Sequence, residues 1–356
     1  MIDAIRPSAA APPLSARSAQ DAVRDEPPAI EPEDFRARFA ELESLIGQVI
    51  VGHEELLRLV LTTLVCGGHA LVEGAPGLGK TLLVRSLAAA IDGVFSRIQF
   101  TPDLMPADIL GTMILQDAPQ GGRTMRFEPG PVFAHLLLAD EINRATPKTQ
   151  SAMLEAMQEH TVTVGKTTYS LPAPFFVLAT QNPLEMEGTF PLPEAQLDRF
   201  SFKLEATFPS TDELVAIAER TTGSERPVIR SVADVRTIRA MGVLAREVPA
   251  AREVIDYGAR LLRATHPNDP GAPQAVREHV RHGASPRGLQ AMLLGAKVQA
   301  LLAGRHHVAR DDLRSLVMPA LRHRLILDFV ALAEGVSPDE ILAEVLRSVE
   351  SRGGSG

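Results

Sequence analysis

Residues 74–81 read Gly-Ala-Pro-Gly-Leu-Gly-Lys-Thr and fit the pattern Gly-x-x-x-x-Gly-Lys-Ser/Thr in full. The chemistry such a stretch performs is phosphate binding. Glycine admits backbone conformations that turn several N–H groups inward with no Cβ in the way. A helix opening at the end of the loop adds the positive end of its dipole. Lys80 is expected to reach the β- and γ-phosphates of ATP, and the Thr81 hydroxyl to ligate Mg²⁺. Gly74, Ala75, Pro76, Gly77, Leu78 and Gly79 are expected to wrap the phosphates, with Leu82 at the far end of the contact.

An acidic pair, Asp140-Glu141, ends the apolar run that begins at Leu136. A strand ending so puts both carboxylates at the C-terminal edge of a sheet, beside a phosphate loop. Asp140 is expected to hold Mg²⁺ through its water, and Glu141 to orient and polarise the attacking water. Asn182 closes a further apolar run, in Thr180-Gln-Asn-Pro. In a parallel sheet this strand is expected between the other two, from where Asn182 could reach the γ-phosphate or the attacking water. On spacing alone, an Asn-Pro turn with no other duty is the simpler account. Arg199 stands just before the last strand, and Arg287 opens a helix in Gly-Ala-Ser-Pro-Arg-Gly. A guanidinium can neutralise charge on a phosphoryl group in transfer, in its own chain or a neighbour's. With 36 lysines and arginines, a surface salt bridge is the competing account for each.

The elements that must position these residues form an α/β pattern. Strands are expected at Ala70–Glu73, 95–100, 135–140, 175–180 and 200–206, with helices opening near Lys80 and near Pro147. Thr146 is the expected N-cap of the second helix, with Pro147 where a missing N–H costs nothing. Two hairpins interrupt the alternation. Residues 161–171 alternate around Gly165-Lys166 with a type II′ signal, and 112–115 is expected to pair with 124–127. They serve either as functional protrusions or as packing lids.

Beyond about 210 the strand signal stops. Amphipathic helices are expected at 211–221, 232–247, 251–266, 286–303, 310–326 and 338–349, the last with Ser337 and Glu340 as a capping box. The expected divisions are a Pro/Ala-rich disordered tail over 1–33, a nucleotide-binding core over 34–208, a helical domain over 209–350 and a flexible end over 351–356.

The chain has 356 residues, a formal net charge of −8, no Trp and two Tyr. Both the charge and the shortage of stacking aromatics argue against a nucleic-acid partner. One cysteine, Cys66, excludes an intramolecular disulfide and fits a reducing compartment. No signal peptide and no apolar run of about 18 residues is evident, so a cytoplasmic protein without a membrane segment is expected. His135, His306 and His307 lack a third ligand at a gathering spacing and are expected at surface or cap positions.

The combination resembles the AAA+ ATPases, and within them the MoxR family. The resemblance is carried by residues 50–52, 74–81, 100–111, 127–132, 140–145, 154–159, 179–183, 191–200 and 284–288, and it extends over roughly 40–350. It implies an α/β P-loop AAA+ core with a parallel sheet and inserted hairpins, joined to a smaller all-helical lid domain. By resemblance Asn182 is sensor 1, Arg199 the arginine finger given to a neighbour's ATP, Arg287 sensor 2, and Val51 and Gly52 the adenine-lining segment. The two hairpins resemble the helix-2 insert and the insert preceding sensor 1. The family implies a homo-oligomeric ring, commonly a hexamer, a Mg-dependent ATPase and a chaperone-like remodeller paired with von Willebrand factor A (VWA) domain proteins. The alternatives are a magnesium-chelatase-like motor subunit and, less favoured, a nucleic-acid motor.

Overall fold

The computed structural model describes residues 27–75, 77–117, 122–182, 188–223 and 229–353. Pro76, Pro183, the greater part of the expected tail and residues 354–356 of the expected flexible end lie outside them.

Five strands form a parallel sheet: β1 (Ala70–Glu73), β2 (Phe95–Gln99), β5 (Leu136–Asp140), β8 (Phe176–Gln181) and β9 (Phe202–Glu205), in the order β2-β5-β8-β1-β9. Every strand expected from the sequence is present, and β8 lies between β5 and β1. The three inner strands β5, β8 and β1 are buried almost throughout because both faces of the sheet are covered there, while the edge strands β2 and β9 carry polar residues. Alternate residues serve opposite cores: Leu136 and Leu138 face one, Leu137 and Ala139 the other. The first core takes in the N-terminal helices Pro32–Gly47 and Glu54–Cys66, the helix Lys80–Ala90 and the helices beyond 230. The second is closed by the helix Pro147–Glu159, with Phe100, Ile109 and Phe200. Cys66 is buried, and burial pushes its thiol pKa up to about 12, so it is a packing residue.

Both hairpins form. Strands β3 (Gly111–Asp117) and β4 (Arg123–Pro129) pair over a longer stretch than the alternation predicts, with Thr112 opposite Glu128. Strands β6 (Thr161–Val164) and β7 (Thr167–Ser170) join through Gly165, whose φ of +64° opens the two-residue turn.

Four expectations change. Helix starts at Pro32 and Ile30 already packs on the core, so order begins before residue 34. The final helix runs Pro338–Gly353, past residue 350. The expected helix over 310–326 is two, Arg310–Ser315 and Val317–Leu321. Pro319 is the cause: its ring opposes the carbonyl four residues earlier and it offers no N–H. Finally, the helical part holds one antiparallel pair, β10 (Val280–His282) with β11 (Ile326–Leu327), each too short to show a period of two. No helix among the described residues is long and apolar enough to cross a membrane.

Candidate functional site at two edges of one sheet

Three strands deliver their C-terminal ends side by side. Glu73 is in register with Gln181, and Ala139 with Ala179. Gly74, Glu141 and Asn182 therefore emerge together, with Gly74 N donating to Gln181 O at 3.4 Å. Parallel strands leave the loops that follow them along one edge, where ligands of such sheets bind.

The phosphate loop occupies that edge. Gly77 and Gly79 have φ of +86° and +76°, values that favour glycine. Lys80 opens the helix Lys80–Ala90, and its Nζ donates to Gly74 O at 2.7 Å and Ala75 O at 3.3 Å. The ammonium thus closes the loop upon itself. Burial lowers its pKa, and the carboxylates of Asp140 and Glu141 oppose that shift. Thr81 is half-buried in the first helical turn, Leu78 packs on the core and Leu82 is exposed.

The acidic pair is held by a residue of the neighbouring strand. Thr180 Oγ1 donates to Asp140 Oδ1 at 2.7 Å and accepts from Glu141 N at 2.9 Å. Glu141 has φ of +56°, a conformation that costs a non-glycine residue about 1–3 kcal/mol and needs such support. Its carboxylate accepts from Gln99 Nε2 at 2.8 Å and Arg144 Nη1 at 3.0 Å. Asp140 Oδ2 pairs with Arg97 at 2.6 Å. A carboxylate accepts at about four positions, so Asp140 keeps capacity for a metal-bound water. The oxygen-only set of Thr81 and Asp140 suits Mg²⁺. Asn182 is buried directly after β8. Gly52 adjoins the start of the helix Thr211–Thr222, where an added Cβ would lie 2.3 Å from Glu213 Oε1, and Val51 before it is half-buried.

Thr180, Arg97, Gln99 and Arg144 have no role in the reading of the sequence above. Their signal was present in part: Arg97 and Gln99 alternate along β2, and Gln99 is in register with Asp140.

Arg199 and Arg287 are elsewhere. Ser201 N donates to His69 O at 2.8 Å, and Phe202 is in register with Ala70, so Arg199 sits at the N-terminal edge. The four residues of β1 alone span about 13 Å between the edges. Arg199 Nη1 donates to Leu154 O at 2.7 Å, while its Nε is buried without a partner. Arg287 lines the same cavity of about 150 Å³, with His69, Met157 and Gln158, and its Nη1 is 3.7 Å from Asp198 Oδ2. The structure gathers the two arginines together and leaves both far from Lys80.

Residues 69–202 match the family model for the ATPase family associated with various cellular activities, and 273–345 match the AAA lid domain. Chaperone MoxR1 of Mycobacterium tuberculosis is 42% identical over 320 residues, covering 89% of this chain and 84% of that protein. The chain belongs to the MoxR family of AAA+ ATPases. Protein MoxR of Paracoccus denitrificans is 33% identical, over 83% of this chain and 90% of its own. The crystal structure of a candidate ATPase from Cytophaga hutchinsonii superposes with a TM-score of 0.83 at 36% identity, covering 92% of this chain and 97% of that one. In this MoxR-family ATPase the first match runs from one sheet edge to the other, and the lid match contains Arg287.

Proposed function

We propose that the chain hydrolyses ATP at the C-terminal edge of its sheet and that each active site is completed by a neighbouring copy. The separation of Lys80, Asp140 and Glu141 from Arg199 and Arg287 by a full strand length carries this reading. Backbone amides of residues 74–82 and the Lys80 ammonium bind the phosphates. Thr81 and Asp140 would hold Mg²⁺, which supplies charge neutralisation at the phosphate oxygens. Glu141 orients the attacking water and takes up its proton, with Asn182 beside it. Arg199 and Arg287 approach the next copy's γ-phosphate. A contact joining opposite edges is heterologous and closes into a ring, with six copies expected.

We assign a chaperone-like action on protein partners. A 42% identical relative bears the name chaperone. Ile114, Leu115 and Met125 on the β3–β4 hairpin expose apolar side chains suited to a protein segment, on a chain of net charge −8. A VWA-domain protein is the expected partner, and ATPase stimulation by it, set against stimulation by DNA, tests that assignment.

The shared site is tested by mixing. Arg199→Ala is expected to bind ATP and lose roughly 10³-fold in kcat. Lys80→Ala is expected to be inactive, because it binds ATP weakly and the γ-phosphate loses its cation. An equal mixture recovers about a quarter of the sites, since an Arg199→Ala subunit receives a finger from a Lys80→Ala neighbour. Mixed assemblies, verified by size, that recover no ATPase would overturn the trans role.

A further inference from the structure

The most deeply buried cation beside Arg199 belongs to the helical part. Arg324 follows the helix Val317–Leu321, and its side chain is 2% exposed. A guanidinium has five N–H donors, and here each finds an acceptor. They reach Asp198 Oδ1 at 2.8 Å, Asp198 O at 2.9 Å, Phe200 O at 2.7 Å, Ser201 O at 3.1 Å, and Ala320 O. Four of the five bonds therefore fall on residues 198–201, the segment that carries Arg199. His323 Nε2 adds a fifth hold on that segment, donating to Phe200 O at 3.0 Å.

The same segment is tied to Arg287. Asp198 Oδ1 also accepts from Ser285 Oγ at 2.6 Å, and Ser285 Oγ caps the helix Pro286–Leu302 by accepting from Arg287 N. Asp198 thus joins three elements: the finger segment, the turn holding Arg324 and the helix start holding Arg287.

Stability alone does not call for this arrangement. Burying an ion pair costs desolvation that its attraction often fails to offset, and a well-packed apolar pair of similar volume does as well or better. An apolar pair would leave the carbonyls of residues 198–201 without a fixed direction. Arg324 supplies one, since a planar fork bonded at every N–H has a single orientation.

We propose that Arg324 is a positioning residue for ATP hydrolysis in the neighbouring copy. It locks the finger segment to the helical lid, so that Arg199 and Arg287 meet the neighbour's phosphates as one unit. This rests on the trans role of Arg199 proposed above.

The test uses the full chain with Arg324→Lys, which keeps the charge and loses the fork. Its ATP affinity is expected to stay within about twofold and its kcat to fall about tenfold to a hundredfold, as for a displaced catalytic group. Mixed equally with Lys80→Ala, it regains about a quarter of the sites, because the defect lies in what it offers its neighbour. Unchanged kcat overturns the proposal. So does a loss that Lys80→Ala leaves unrepaired while repairing Arg199→Ala in parallel; Arg324 then serves only its own subunit's fold. If neither is repaired, the trans reading itself falls. Should Arg324→Lys aggregate, Asp198→Asn, which removes the charge and spares the carbonyl bonds, decides by the same outcomes.

Discussion

The Thr180 hydroxyl donates to Asp140 Oδ1 at 2.7 Å while accepting the backbone N–H of Glu141 at 2.9 Å. One oxygen on β8 therefore sets both members of the acidic pair at the end of β5. It also satisfies the amide of a residue held at positive φ, which no strand partner reaches. Thr180→Val keeps shape and removes the hydroxyl. Leaving that amide unpaired is expected to cost about 1–3 kcal/mol of stability. The misplaced carboxylates should lower kcat about tenfold to a hundredfold with ATP affinity little changed. Thr180→Ser should restore both. Denaturant unfolding and steady-state ATPase read the two effects, and a fully active Val variant would sink the assignment.

Binding and turnover should separate between Lys80 and Glu141. Lys80→Ala removes a charge-assisted contact worth about 1.5–3 kcal/mol, so ATP affinity should fall roughly 10- to 150-fold. Glu141→Gln should bind ATP nearly as the parent does and stop turnover, because an amide cannot accept the water's proton. Equilibrium binding of a fluorescent ATP analogue, beside phosphate release, distinguishes the two. Hydrolysis at the parent rate by Glu141→Gln would remove it from its role.

Arg97 competes with any cation for Asp140. The pair is 2.6 Å apart, and the arginine side chain is 46% exposed, so solvent screens it. Arg97→Ala should lower the Mg²⁺ concentration needed for nucleotide binding by about 1.4- to fivefold, matching an exposed pair's 0.2–1 kcal/mol. A Mg²⁺ titration of analogue fluorescence reads this directly. A higher requirement would mean that Arg97 chiefly orients the carboxylate.

These contacts divide by how much of them a sequence can carry. The strand runs, the phosphate loop and Asp140-Glu141 were legible because each is a local pattern with one physical meaning. The place of β8 was legible too, since a parallel sheet is expected to set that strand between the phosphate loop's strand and the acidic one, which is where it lies. Arg97 was hidden because a polar residue on an edge strand ordinarily faces solvent. The break at Leu316 was hidden behind unbroken apolar periodicity, although Pro319 marked it. Arg324 was beyond reach: arginine is almost never buried unless paired, and its partner Asp198 lies 126 residues away. Long-range pairing leaves no local trace.

Buried histidines should make the fold acid-sensitive before the carboxylates titrate. His69 is fixed as the neutral Nε2–H tautomer: Nε2 donates to Met157 O at 3.0 Å and Nδ1 accepts from Val177 N at 3.1 Å. Burial pushes its pKa down to about 4, from 6.5, and burial also holds His323 well below 6.5. The unfolded chain protonates both near pH 6.5 while the folded chain does not. Their contribution is therefore complete above pH 6.5 and is lost as pH falls toward the folded value. Each histidine makes the slope approach about 1.4 kcal/mol per pH unit, because one proton separates the two states. Denaturant unfolding between pH 7 and 5 should show this decline, in a window where most carboxylates remain ionised. His69→Gln, whatever its stability at pH 7, should flatten the slope by about one proton. An unchanged slope would mean that His69 takes up its proton without unfolding, and that the contacts at Met157 and Val177 open in the native state.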